Sequence, residues 1–291
     1  MLIFFISAFI LSLTPANVFD DQTKITPFYS IAVDEVDLSQ VKITVDEGLK
    51  YPQFKKENKR RFILSLNKAD QDYYNKLSEL DKKIFVKLVS LGLFKEIKNK
   101  NYLGNQYTLL YKKDAAFNIE TVAIIPTDYG SALPVITDYA SYNDWALKDI
   151  NIRRDGEGGK YFFNVNSLKY FTEKEQKAFE LNVTMGKNFS LKLLLKDYTF
   201  LKPVPSFDLK MEEPSSLAKD VKGTFKFMML PDTPYFIIYF TGKAEVSWIY
   251  YKFLPLNLIR GQFVERIYTM LENIQYKSES IKQRSLITKN D

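Results

Sequence analysis

Between Tyr74 and Leu91, apolar side chains recur every three or four positions, at Tyr74, Leu77, Leu80, Ile84, Phe85, Leu88, Val89 and Leu91, with Lys, Asp and Glu between them. A period near 3.6 predicts an amphipathic helix with one buried face. Asn67 or Asp70 is placed to cap its start, and Gly92 falls at its end. Upstream, Phe28–Val33, Val41–Val45 and Phe62–Leu66 read as short extended segments. From residue 102 the pattern shortens towards a period of two, and Tyr107–Tyr111 and Ile119–Ile125 predict strands. Thr127–Trp145 is interrupted by Gly130 and Pro134, which predicts short broken helices rather than one long one.

Six further strands are predicted at Ala146–Arg154, Tyr161–Phe171, Ala178–Met185, Phe189–Thr199, Val221–Leu230 and Tyr235–Val246. Asp155-Gly-Glu-Gly-Gly159, Met185-Gly-Lys-Asn188 and Pro231-Asp-Thr-Pro234 supply turns between them. Strands joined this tightly belong to an antiparallel meander. The Gly-rich turn precedes a strand instead of opening a helix, so it does not read as a phosphate loop. The Pro-containing stretch 200–220, with Pro203, Pro205 and Pro214, reads as a loop. Leu256, Ile259, Phe263, Ile267, Met270 or Leu271, and Ile274 then mark a final helix on one face, with Pro255 at its first turn. On this pattern Arg260, Glu265, Arg266, Glu272 and Asn273 fall largely off the apolar face, and the polar residues 277–291 read as a flexible tail.

Composition narrows the chemistry. The 291 residues contain no Cys and no His, which excludes Cys nucleophiles, Cys/His zinc sites, His-ligated haem and a Ser-His-Asp triad. Catalysis would have to run on carboxylates, Lys or Tyr, so binding is favoured over reaction. With 23 Phe and 19 Tyr, large apolar areas can be buried per residue. The net charge of +6 is modest, and Lys and Arg alternate with Asp and Glu, unlike the one-sided basic surface of a nucleic-acid binder. The densest run, Lys55-Lys-Glu-Asn-Lys-Arg-Arg61, reads as a solvated face, with an anionic membrane or partner contact as the alternative.

Residues 1–13 form an uncharged apolar run followed by Thr14-Pro-Ala16. This predicts a signal peptide cut after Ala16 and a periplasmic or secreted protein, with an uncleaved anchor as the rival reading. The run is shorter than the roughly 18–20 residues that span a bilayer.

The order of strand, broken helices, six antiparallel strands and one long helix resembles the START-like (SRPBCC) helix-grip superfamily, which includes polyketide cyclases and the birch-pollen allergens. Locally, a strand ending at Pro126 and followed by Asp138-Tyr139-x-x-Tyr142-x-x-Trp145 is similar to the pattern of that superfamily. The resemblance covers about residues 70–276, and Gly130 and Pro134 depart from it. It implies an α+β helix-grip (START-like) fold, a curved antiparallel β-sheet wrapped around a long C-terminal α-helix. The expected layout is a signal peptide at 1–16, an N-terminal extension at 17–69, the helix-grip domain at 70–276 and the tail at 277–291.

The resemblance also implies an internal cavity for a lipid or other hydrophobic small molecule, with no cofactor and no metal. Strand alternation then assigns its lining to Tyr161, Phe163, Leu191, Leu193, Leu195, Phe225, Phe227, Met229, Phe236, Ile238 and Phe240, with Phe263, Ile267 and Met270 from the last helix. Arg154 is the candidate polar anchor for a head group, and Trp145 a packing residue at the turn into the next strand. The same residues would equally fill a solid core. A cyclase- or hydrolase-like enzyme on this fold is a further alternative, although no paired carboxylates stand at the inward positions.

Overall fold

A computed structural model describes residues 31–58, 60–92, 106–152, 164–173, 175–185, 187–198, 204–216, 218–229, 236–253 and 256–287. Among these residues two sheets form. The smaller contains β1 (Val41–Val45), β2 (Gln53–Lys56) and β3 (Phe62–Leu66) in the order β1-β3-β2. The larger contains β4 (Gln106–Lys113), β5 (Ala116–Ile125), β6 (Asn164–Glu173), β7 (Gln176–Met185), β8 (Lys187–Asp197), β9 (Ser206–Met211), β10 (Ala218–Met229) and β11 (Phe236–Val246). Its order is β4-β5-β11-β10-β9-β8-β7-β6, and every pair is antiparallel. The last strand returns to lie beside β5, so the meander closes on its beginning.

The helices are α1 (Lys68–Lys76), α2 (Glu79–Ser90), α3 (Tyr129–Thr137), α4 (Tyr142–Trp145), α5 (Trp248–Phe253) and α6 (Leu256–Ile287). Where one helix was expected from about 70 to 91, there are two. Asn67 caps the first, its Oδ1 accepting the Asp70 amide at 2.8 Å. Ser78 caps the second by accepting the Asp81 amide, and its hydroxyl donates back to Asp81 at 2.6 Å. The second cap restarts the chain after an extended Leu77, so each helix can present its own face. Gly92 ends α2 at φ +69°, the left-handed conformation that glycine adopts without a Cβ penalty.

The inner face of the large sheet packs on α6. Phe117, Ile119, Ala123 and Ile125 of β5, Phe236, Ile238 and Phe240 of β11, and the inward residues of β6–β10 form one core with Phe263, Ile267, Met270, Leu271 and Ile274 of α6. Strand, short helices, returning meander and gripped helix make this an α+β helix-grip fold. The opposite, outer face is covered as well. Tyr107, Val122, Ile124, Met228, Ile237 and Tyr239 share a second core with β3 and with α1 and α2.

Four expectations about the elements are corrected. Ala146–Arg154 is not a strand over its described part; residues 146–151 are turns in which Ala146 and Ile150 enter the same core as Tyr142 and Trp145. Asn151 replaces strand pairing there, donating to the Val165 carbonyl at 2.8 Å and accepting its amide at 2.9 Å. The stretch read as a loop contains β9, whose Phe207, Leu209 and Met211 are buried while Asp208 and Lys210 alternate with them. Its prolines flank the strand instead of interrupting it, which is where a sheet tolerates them. Residues 277–287 are helical, not a loose tail: Ser278 is buried, Ile281 packs on the core and Lys282 reaches Asp128 at 3.5 Å. At about 1.5 Å per residue, the 32 residues of α6 extend beyond the sheet onto α3, with which α6 is in contact. Finally, Val33 begins a 3-10 turn, Val33–Glu35, and not the end of a strand. Pro255 and the turns at 155–159 and 231–234 lie outside the described residues.

One ion pair ties the outer layer to the sheet. Glu120 sits midway along β5 on the outer face, 3% exposed, and Lys87 of α2 is 0% exposed. Their charged atoms are 2.6 Å apart. Glu120 also accepts the Val33 amide at 2.7 Å, and Lys87 donates to the Ile31 carbonyl at 2.5 Å and lies 4.4 Å from the Tyr107 ring centre. Burial pulls the Lys87 pKa down and pushes the Glu120 pKa up, each opposed by the charge of the other. A second pair, Lys226 of β10 with Asp81 of α2 at 2.5 Å, fastens the same helix further along the sheet.

Lys87→Met should therefore cost about 3–5 kcal/mol, because Glu120 is left charged and buried. Without Lys87 the folded-state pKa of Glu120 rises further above its unfolded value. The penalty is present above that folded pKa and is relieved as pH falls through it. The variant's deficit against wild type should shrink between pH 8 and about 5 in denaturant titrations. A pH-independent deficit would refute a charge-based role for the pair.

Candidate binding face

The inner face is built from alternation. On β8, Leu191, Leu193 and Leu195 point inward; on β10, Phe225 and Phe227; on β11, Phe236, Ile238 and Phe240, all with little or no exposure. Phe263, Ile267 and Met270 of α6 face them. The structure thus brings eleven of the predicted lining residues into one continuous buried core. Met229 does not join them: it ends β10 and is 42% exposed, past the rim of the inner face. Arg154, Tyr161 and Phe163 lie outside the described residues.

Aromatic rings dominate the middle of this face. Phe225 stacks on Phe240 at 4.3 Å between centroids and meets Phe207 at 4.7 Å; Phe227 stacks on Phe236 at 5.7 Å. Gly223 makes the first contact possible, because a Cβ there would come within 2.9 Å of the Phe240 ring. A second aromatic group, Tyr139, Tyr142, Trp145, Tyr170 and Phe179, closes the face towards β6 and β7. Trp145 packs there as expected, its indole N–H donating to Ser141 at 3.1 Å. The Tyr142 hydroxyl donates to the Ile136 carbonyl, and full burial holds its pKa well above the ordinary tyrosine value.

Polar groups on this side are few and placed at its margins. Lys177 and Asp197 pair at 3.3 Å, with the Lys177 ammonium 5.9 Å from the Tyr139 ring centre. They help to line an open hollow of about 390 Å³ with Glu175, Gln176, Leu195 and Lys196. At the opposite edge, β4 and β5 present Gln106, Thr108 and Thr121, all buried. Arg266 of α6 is 0% exposed, and its Nε donates to the Ile150 carbonyl at 3.2 Å. Asn273 donates to the carbonyls of Lys148 at 2.9 Å and Ala146 at 3.4 Å.

Arg266 corrects the expectation that it lies off the packed face. The signal was present in its spacing, since it stands three residues after Phe263 and four before Met270. Among the described residues no group of three Asp or Glu side chains could hold a metal ion.

No family model matches the chain, and no curated protein sequence matches it. Solved structures with a similar fold include a STAR-related lipid transfer protein fragment from Xanthomonas axonopodis, at 10% identity and TM-score 0.42, over 62% of this chain and 96% of that one. An aromatase/cyclase from a Streptomyces species shares 11% identity at TM-score 0.39, over 54% of this chain and 93% of that one. The human StarD13 lipid transfer and protein localization domain shares 10% identity at TM-score 0.34, over 69% and 97%. At these levels the likeness concerns the course of the chain and not its chemistry.

Gly223→Val should displace Phe240 and lower stability by about 1–3 kcal/mol, the usual cost of overpacking. Thermal unfolding measures it, and an unchanged midpoint would mean that the Phe225–Phe240 stack is not closely packed.

Proposed function

We propose that the protein holds a lipid or similar apolar ligand between the inner face and α6, and that it works as a carrier outside the cytoplasm. The observation that carries this reading is the placement of α5. This six-residue helix joins the sheet to the gripped helix, and it exposes Trp248 at 65% and Phe253 at 66%. Lys252 lies between them, 5.0 Å and 5.5 Å from the two ring centres. Aromatic rings beside a Lys suit the boundary between lipid and water. An apolar inner face is thereby joined to an aromatic outer rim through one short hinge.

In this reading the ligand is admitted at α5. Arg266, Asn273 and Lys282 bind the later turns of α6 to Ile150, to Ala146 and Lys148, and to Asp128. At the hinge, Lys112 donates to the Tyr251 carbonyl at 2.5 Å, and the Phe117 and Tyr251 rings meet at 5.8 Å. Release of the Lys112 and Phe117 contacts would free α5 to move away from the edge of the sheet. Each Å² of apolar ligand surface then removed from water contributes about 25 cal/mol. The apolar run at residues 1–13 and the small residues before Ala16 support export.

Catalysis on the same fold has one observation in its favour, the Lys177–Asp197 pair against Tyr139. The two readings differ in what leaves the protein: a carrier returns its lipid unchanged, whereas an enzyme alters it. Organic extraction of protein purified from its own compartment, followed by mass analysis, should give an unmodified lipid in stoichiometric amount. A reproducibly empty protein would remove the carrier reading.

The double substitution Trp248→Ser, Phe253→Ser should leave the melting temperature within about 2 °C of wild type, since both side chains are largely exposed. It should slow lipid pick-up from phosphatidylcholine/phosphatidylglycerol vesicles at least about tenfold, roughly 1.4 kcal/mol of lost contact. Unchanged pick-up would exclude α5 as the membrane-facing element.

A further inference from the structure

On the inner face, β4 departs from the apolar rule. Gln106, Thr108 and Leu110 share the inward parity, because their partners across the ladder are Ala123, Thr121 and Ile119, members or neighbours of the inner core. Gln106 is 1% exposed, and among the described residues neither its Oε1 nor its Nε2 has a hydrogen-bond partner. A buried amide left unpaired is costly, and native structures rarely keep one without a reason. Thr108, two positions along the same strand and about 7 Å away at 3.3 Å per residue, bonds to its cross-strand partner Thr121 of β5 at 3.2 Å. Two hydroxyls carry two hydrogens, and their mutual bond uses one of them. The strip therefore offers donors and an acceptor in a setting that is otherwise apolar.

We infer that Gln106, supported by Thr108 and Thr121, is the polar anchor of the ligand site, and that it takes a small neutral hydrogen-bonding group, a hydroxyl or carbonyl, at the end of an apolar body. The amide can donate and accept at once, as a hydroxyl requires, and it carries no charge to offset a carboxylate or phosphate buried in the same place. Ala123, beside Gln106 on β5, keeps the neighbouring volume small.

The geometry also sets an orientation. Gln106 begins β4, whereas Lys112, which holds α5, is near its end. A ligand admitted at α5 would enter polar end first and leave its apolar end towards the hinge. The inference rests on the carrier reading and adds the chemistry of the group recognised.

The test compares 1-decanol with decane as competitors for a neutral fluorescent dye, N-phenyl-1-naphthylamine, bound to the full chain. Wild type should bind the alcohol about tenfold more tightly, the effect of one satisfied buried group. Gln106→Leu, similar in volume and without the amide, should abolish that preference while raising the melting temperature of the ligand-free protein. Thr121→Val, a smaller change, should reduce the preference by about threefold. Equal affinity of wild type for alcohol and alkane, or a preference unaltered in both variants, would overturn the inference and leave the carrier reading standing. Failure of the dye and both competitors to bind any of the proteins would overturn the carrier reading as well.

Discussion

The structure depends on two neighbouring strands that are apolar on both sides. In β5, Phe117, Ile119, Ala123 and Ile125 face one way while Val122 and Ile124 face the other. In β11, Phe236, Ile238 and Phe240 oppose Ile237 and Tyr239. A pair of strands with this composition at the heart of a sheet has to be covered twice. The long helix α6 covers one face, and α1, α2 and the small sheet cover the other. Glu120 makes the second cover specific, because a carboxylate buried midway along β5 is tolerable only where Lys87 and the Val33 amide meet it.

Fixing the sheet from behind has consequences in front. With its outer face committed to a packed layer, the sheet turns its inner face to one long element, α6. The hydrogen bonds of Arg266 and Asn273 and the ion pair of Lys282 hold the later turns of that element in place. At α5, Lys112 donates to the Tyr251 carbonyl and the Phe117 ring meets the Tyr251 ring, while Trp248 and Phe253 project into solvent.

Much of the architecture was legible in the sequence. Alternation in β8, β10 and β11 predicted which side chains line the inner face, and the spacing from Phe263 to Ile274 predicted the helix that meets them. The misreadings share one cause, which is that a short segment's pattern is ambiguous until its neighbours are known. Residues 146–152 alternate well enough for a strand, yet Asn151 satisfies the Val165 backbone from a turn. β9 was hidden by prolines that merely flank it. Met229 obeys the parity of its strand but lies where cover has ended. Residues 277–287 look polar, and they remain helical because α3 gives the extended α6 a surface to lie on.

The sequence by itself determined the run of helices and strands, the inward faces of β8, β10 and β11 and the absence of His and Cys chemistry, because these follow from periodicity and composition, which are local properties. Only the tertiary structure decided the pairing of Lys87 with Glu120, the burial of Arg266 and the isolation of the Gln106 amide. Glu120 and Gln106 read in sequence as ordinary polar positions of strands. What each can do depends on which groups approach from elements 33 residues away, as Lys87 does for Glu120, or on none of the described residues supplying a partner, as at Gln106. Burial and partnership over such separations are properties of the packed chain, since desolvation acts only once the covering layers are in place.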